Sequence, residues 1–355
     1  MLLPDTVAAG NYRQELAILK TSFQKGMLAI FFVLLILLPQ FPFVSDYWVR
    51  IVINFSITII TVVGLNILTG LCGQGSIAQA AFMAVGAYLS VILTGKCGLP
   101  FWVALPCAAV FAGTLGAFFG LSALKVRGLY LFLVTLGAHF IIEYAIIHIP
   151  GLTGGQTGIA VSPPKLIGYA FKSLRSYYYI VIIFLIIAIF VAKNLIRTHI
   201  GRAWMAIGNK DMVAKAMGIN VYHYKLLAFF VGCAYAGVAG SLWAHSKSWL
   251  APEDFSLMQA CWFLGMIIVG GLGTVLGSIL GTVLLLGLGE ITTYAGPAIG
   301  KVFPALSMGI FAASSQLVYS LIILLFLVFE PDGLIHLWYR VRMSFKPATR
   351  DKEIT

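Results

Sequence analysis

The sequence predicts an all-α, polytopic membrane protein of about ten transmembrane helices with cytoplasmic N- and C-termini, and three observations carry that prediction. Of its 355 residues, 60% are hydrophobic and only 10% are charged, whereas a soluble domain carries about a quarter charged residues. The apolar residues gather in runs long enough to cross a hydrocarbon core of about 30 Å, which needs roughly 20 helical residues. The basic residues lie mostly in the gaps between those runs. The formal net charge of +11 therefore reads as membrane orientation and not as a nucleic-acid-binding face.

The runs fall at about 27–44, 47–69, 74–95, 99–124, 128–149, 177–195, 224–245, 256–273, 275–296 and 311–329, bounded by charge, Pro or Gly. Arg13, Lys20 and Lys25 before Met27–Leu38 give the first run the look of a signal peptide. Pro39, Phe41, Pro42 and Phe43 follow in place of a small-residue cleavage site, so it reads as an uncleaved first span. Gly70, Gly73 and Gly75 crowd the third span, and Gly270, Gly271, Gly273 and Gly277 crowd the eighth. Either could be broken or re-entrant. The expected organisation is a cytoplasmic segment over 1–26, a transmembrane domain over 27–335 and a basic cytoplasmic tail over 336–355.

Ten alternating spans that start inside place Arg50, Lys96, Lys165, Lys172, Arg175, Lys247 and Lys301 outside, which is 7 of the 23 Lys and Arg and leaves 16 inside. That imbalance obeys the positive-inside rule, and dropping one helix would move the basic tail outside. The long outer loop, about 150–176, contains Gly151, Gly154, Gly155, Gly158, Pro163 and Pro164 and reads as turns without helical periodicity. The long inner loop, about 196–223, is more structured. Asp211 suits the N-cap of a short helix over Met212–Met217, and Gly218 suits its C-terminal stop.

The sequence has no G-x-x-x-x-G-K-[ST], so the chain has no P-loop for nucleotide phosphates. It has no HExxH, no nucleophile elbow and no His/Cys cluster with ligand spacing, which leaves an enzymatic role without support. The five cysteines, Cys72, Cys97, Cys107, Cys233 and Cys261, lie in or beside apolar segments and read as small core residues, not as a disulfide framework or metal site.

The short inner helix carries apolar Met212, Val213, Ala216 and Met217 flanked by Arg202, Lys210 and Lys215. Such a helix fits a groove on a partner protein and equally fits lipid headgroups. Polar residues inside spans are the second clue, because hydrocarbon tolerates them only when they are paired or line water. Asn66, Gln74, Ser76 and Gln79 cluster at the Gly-rich start of the third span, where exposed backbone could meet a polar solute. His139 and Glu143 lie one turn apart in the fifth span and form either a pathway or gating pair or a structural contact. Gln259 and Glu290 read as interfacial. Gly232, Ala234, Ala236, Gly237, Ala239 and Gly240 read as a helix-packing strip.

Three blocks together resemble the LivM-type permease subunits of branched-chain amino acid ABC importers. They are GLNILTGLCGQGSIAQAAFMAVGAYL (64–89), GRAWMAIGNKDMVAKAMGINVYHYKLLAF (201–229) and MIIVGGLGTVLGSILG (266–281). The likeness extends over about 27–335 and includes the closing FEPDGL (329–334). The pattern departs at Ala78 and Gln79, where many members carry Gly-His.

The resemblance implies a permease in the bacterial inner membrane, without a cofactor of its own, that moves branched-chain or related small amino acids. It also implies a second permease subunit of the LivH type, two ATP-binding cassette subunits that bind the ATP, and a periplasmic solute-binding protein. Gly201, Arg202, Asp211, Met212, Ala214, Lys215 and Gly218 would form the coupling segment. Asn66, Gln74, Ser76, Gln79, His139 and Glu143 are the candidate pathway residues. The same machinery for urea, amides or another small polar solute is an alternative, and so is a proton-coupled secondary transporter that uses Glu143 with His139.

Overall fold

The computed structural model describes residues 38–40, 45–122, 126, 128–166, 169–170 and 173–302, with 320–321, 324–325, 328 and 333–335 near the C-terminal end. The larger helices are α1 (Asp46–Asn66), α2 (Gln79–Gly95), α3 (Phe101–Gly120), α4 (Leu129–His148), α5 (Leu174–Arg197), α6 (His199–Asn209), α7 (Asp211–Ala216), α8 (Val221–Ser246), α9 (Leu257–Gly270) and α10 (Val275–Val302). Much of α1 is β-branched (Val, Ile, Thr), a composition that favours strands in water. In hydrocarbon only a helix satisfies each backbone group within its own segment, so the environment overrides propensity.

Among the described residues, five helical segments are long and apolar enough to cross a membrane: Asp46–Leu71, Phe101–Gly120, Tyr130–His148, Leu174–Arg197 and Val221–Ser246. These are the expected second, fourth, fifth, sixth and seventh spans. The third is the shorter apolar α2. The eighth and ninth form a pair, Pro252–Gly270 and Val275–Ile291, bent by 118°. The expected first and tenth spans, and the tail over 336–355, lie wholly or almost wholly outside the described residues.

Both glycine-crowded segments are breaks. Helix α1 runs on into a π-helical turn, Ile67–Leu71, and residues 72–78 are non-helical before α2 begins. Gly73 has φ +68°, a backbone conformation that costs a side-chain-bearing residue strain. The second break spans 271–274, between α9 and α10.

The core centres on α1 and α8. Helix α8 packs against α3, α2 and α1, while α5 covers α1 from another side. With no hydrophobic drive between helices in lipid, close packing of small residues supplies the attraction. A β-carbon on Gly232 would stand 3.0 Å from Gly64 O, so the small-residue strip of α8 is indeed a packing surface. One face of α4, with Tyr130, Leu133, Phe140, Ile141 and Tyr144, is exposed.

The 150–176 segment is built from turns, as its composition suggests. A single helical turn, Pro150–Thr153, leads to a 3-10 turn at Gly155–Thr157. Strand β1 (Ile159–Ala160) then pairs antiparallel with β4 (Trp249–Leu250), and β2 (Lys165–Leu166) pairs with β3 (Tyr169–Ala170). Trp249 Nε1 donates to Thr157 O at 2.8 Å, which fastens this segment to the chain that follows α8.

Candidate functional site: a glycine junction beneath a surface helix

The three resembling blocks, distant in sequence, meet in space. Asn66, the last residue of α1, is 2% exposed and uses both ends of its amide on the second break. Its Nδ2 donates to Thr274 O at 2.8 Å, and its Oδ1 accepts from Gly273 N at 2.8 Å. Gly70 lies directly against Gly273, with no room for a β-carbon. From the closing FEPDGL motif, a β-carbon on Gly333 would stand 2.6 Å from Gly271 Cα. The two helix breaks therefore lie back to back, joined by one asparagine and by backbone-to-backbone contact.

The 196–223 segment closes the other side of the first break. A β-carbon on Gly73 would stand 3.0 Å from Gly208 Cα, near the C-terminal end of α6. Trp204 on α6 is fully buried, and its Nε1 donates to Tyr224 O at 2.8 Å, pinning α6 to the start of α8. Gly201 sits at the tight corner where α5 turns into α6, against the backbone of Ile196. Arg202 is exposed. Beside the contact of Gly73 with Gly208 lies a cavity of about 270 Å³, lined among others by Cys72, Gln74, Gly128, Asn209 and Lys225.

Helix α7 begins at Asp211, and Lys210 holds the N-cap position. The N-cap role expected for Asp211 is therefore corrected. Its carboxylate instead accepts from Lys225 Nζ at 2.6 Å, with the two side chains 17% and 5% exposed. Gly218, with φ +80°, stops the helix in the left-handed conformation that favours glycine. Met212 and Met217 are 76% and 74% exposed and Val213 is 52% exposed, while Ala214 is buried. Ala214 thus faces inward, away from the surface its neighbours present. Lys215 is exposed and joins Met212, Ala216, Tyr222 and others around an open groove of about 700 Å³.

Most of the candidate pathway residues are engaged within the fold. Gln74 Nε2 donates to Cys72 O at 3.2 Å, and Ser76 Oγ accepts from Ala78 N at 3.3 Å. Gln79 Nε2 donates to Thr61 O at 3.2 Å and to Gly232 O at 3.1 Å, while its buried Oε1 has no protein partner. His139 is fully buried, with neither ring nitrogen hydrogen-bonded. Its Nε2 stands 3.8 Å from Glu143 Oε2, beyond hydrogen-bond range, so the pair does not form the bond its spacing suggests. Glu143 reaches the surface beside Ala84, Pro252 and Phe255. The six residues thus divide into a junction group and a separate α4 pair.

Sequence reasoning missed Lys225, Trp204, Gly208 and the turn at Gly273–Thr274. Lys225 counted only as one more inward-side cation. Its link to Asp211 crosses a connection whose geometry no periodicity encodes. Cys72 is buried beside the same ion pair, and burial pushes its thiol up to about 12, since a thiolate there would lose its hydration.

Residues 47–328 match the family described as the permease component of the branched-chain amino acid transport system. The chain is 32% identical over 277 residues to the high-affinity branched-chain amino acid transport system permease protein LivM of Escherichia coli strain K12, covering 71% of this chain and 65% of that protein. The LivM protein of Salmonella typhimurium strain LT2 matches with the same identity and coverage. The autoinducer 2 import system permease protein LsrC of Yersinia pseudotuberculosis is 25% identical over 236 residues, covering 63% of this chain and 59% of that one. The match thus spans 65% of the length of the LivM relatives. No solved structure matches the chain.

Proposed function

The chain belongs to the branched-chain amino acid transport permease family, and from that premise we propose that it is the membrane-spanning permease subunit of an ATP-driven importer of branched-chain or related small amino acids. It lies in the bacterial inner membrane with its termini and α7 on the cytoplasmic side. A second permease, of the LivH type, pairs with it. Two ATP-binding cassette subunits bind and hydrolyse ATP, so this chain is not itself an enzyme, and a periplasmic binding protein delivers the solute.

The observation that carries the reading is α7. Met212, Val213 and Met217 are presented to solvent on a short helix whose base is fixed by a shielded ion pair. Flexible, polarizable methionines suit docking into a partner's groove. In this mechanism the ATPases close on ATP and move α7, and the helical bundle rocks so that a cavity between the permeases opens to alternate sides. The Asn66 junction, where two broken helices meet, is the hinge that absorbs the motion. Gln74, Ser76 and Gln79 stand at the first break, and His139 with Glu143 on α4, as the residues proposed to face the path.

Co-expression with the neighbouring transport genes, followed by purification through a tag on this chain, tests the assignment. The ATPase is expected in stoichiometric amount. Its consistent absence from a well-folded preparation would contradict the reading.

A further inference from the structure

We propose that Lys225 is the positioning residue through which movement of α7 reaches the transmembrane bundle, an inference that rests on α7 being the ATPase-docking helix. Lys225 lies near the start of α8, where a lysine would ordinarily extend its ammonium to the membrane surface. Here it does not. Its side chain is 5% exposed, and Nζ lies 2.6 Å from the Asp211 carboxylate. A pair so shielded from water and counterions is a stiffer tie than an exposed one.

What lies at each end of the tie gives it consequence. Asp211 is the first residue of α7, whose exposed methionines form the docking surface. Lys225 belongs to α8, which packs on α1, α2 and α3. A displacement of α7 is therefore delivered to the helix at the centre of the bundle.

An independent contact makes the same connection one step earlier in the chain. The 207–211 segment runs from the end of α6 into α7, and Gly208 meets Gly73 backbone to backbone. With no side chain between them to yield, a shift of this segment toward the first helix break presses directly on its backbone. Lys225 and Asp211 both line the cavity beside that contact, together with Cys72 and Gln74. The tie thus stands between the docking surface and the glycine junction.

The test uses the complete complex in proteoliposomes, with leucine-loaded binding protein as the probe, and compares Lys225→Met, Lys225→Arg and the double variant Lys225→Met with Asp211→Asn. Methionine keeps most of the stem packing and removes the charge. The double variant leaves no bare charge in the site, and so stands in if the single variant does not assemble.

The ATPase should still co-purify with Lys225→Met, with basal hydrolysis within about twofold of the parent. Binding-protein-stimulated hydrolysis and leucine uptake should fall roughly tenfold or more, the scale of a coupling free energy between linked sites. The double variant should be uncoupled in the same way, and Lys225→Arg should recover most of the stimulation. An assembled Lys225→Met or double variant with unchanged stimulation would overturn the proposal, as would a loss of yield with the ratio of stimulated to basal hydrolysis preserved. If the unsubstituted chain fails to retain the ATPase, the reading of α7 itself falls.

Discussion

Asn66 and Thr274, 208 positions apart, are joined by a hydrogen bond of 2.8 Å from the Asn66 amide to the Thr274 carbonyl, and the same side chain accepts from the neighbouring Gly273 amide. One side chain thus supplies an acceptor to the Gly273 amide that the break frees and adds a donor to the Thr274 carbonyl at the start of α10. Truncation by Asn66→Ala would take the acceptor from the Gly273 amide, at about 1–3 kcal/mol for a buried group left unpaired, while the Thr274 carbonyl would keep its bonds from Ser278 N at 3.1 Å and Ser278 Oγ at 3.2 Å. Asn66→Asp should also destabilise, because it loses the donor to Thr274. Thermal unfolding of the detergent-solubilised protein should show a clear drop for both variants.

Gly240 on α8 lies against the Met83 carbonyl of α2 with no space for a β-carbon, whereas Gly137 on α4 has nothing within 4 Å. Gly240→Leu should therefore force α2 and α8 apart and sharply reduce the yield of monodisperse protein. Gly137→Leu should leave the yield of the separately expressed chain unchanged. Size-exclusion profiles of the two variants make the comparison, and equal yields would contradict the packing described.

Cys97 is exposed in the connection between α2 and α3, while Cys72 and Cys233 are buried. With burial pushing its thiol up to about 12, Cys72 carries very little thiolate at pH 8. Because the pKa is raised, lowering the pH makes the thiolate scarcer still, and reactivity should return only on unfolding. Maleimide labelling read by mass spectrometry should find Cys97 modified in the native protein, and Cys72 and Cys233 modified only after denaturation.

On α7, cysteines at Met217 and Ala214 should behave differently. Met217 is 74% exposed and Ala214 is 1% exposed. In the assembled complex a bifunctional cross-linker should join Met217→Cys to the ATPase and leave Ala214→Cys unjoined. Equal cross-linking from both positions would mean that α7 does not present this face.

The apolar helices between 46 and 302 were legible because the bilayer makes one rule dominant, that an apolar run of sufficient length is a helix whatever its local propensity, whereas α6, outside those runs, was read as part of a loop. The β-branched α1 shows that rule at work. Gly218 was legible as a stop because its role is local. Asp211 was misread because a short acidic residue before a helix fits two geometries, N-cap or first turn, and the distant Lys225 selects the second. Ala214, expected within the coupling segment, is buried, because a helix of six residues has too few positions to reveal its inward side from sequence. The glycine clusters announced the breaks, but their meeting through Asn66 depends on packing that no single segment contains. His139 and Glu143 have helical spacing for contact, yet their side chains stand 3.8 Å apart, His139 fully buried and Glu143 part-exposed.

Uptake into proteoliposomes tests the central claim most directly. Labelled leucine should enter only when this chain is reconstituted with its partner permease, the ATPases, the binding protein and ATP, and a pH gradient should not replace ATP. Uptake by this chain alone, driven by a pH gradient and abolished by Glu143→Gln, would contradict the account and identify a secondary transporter instead.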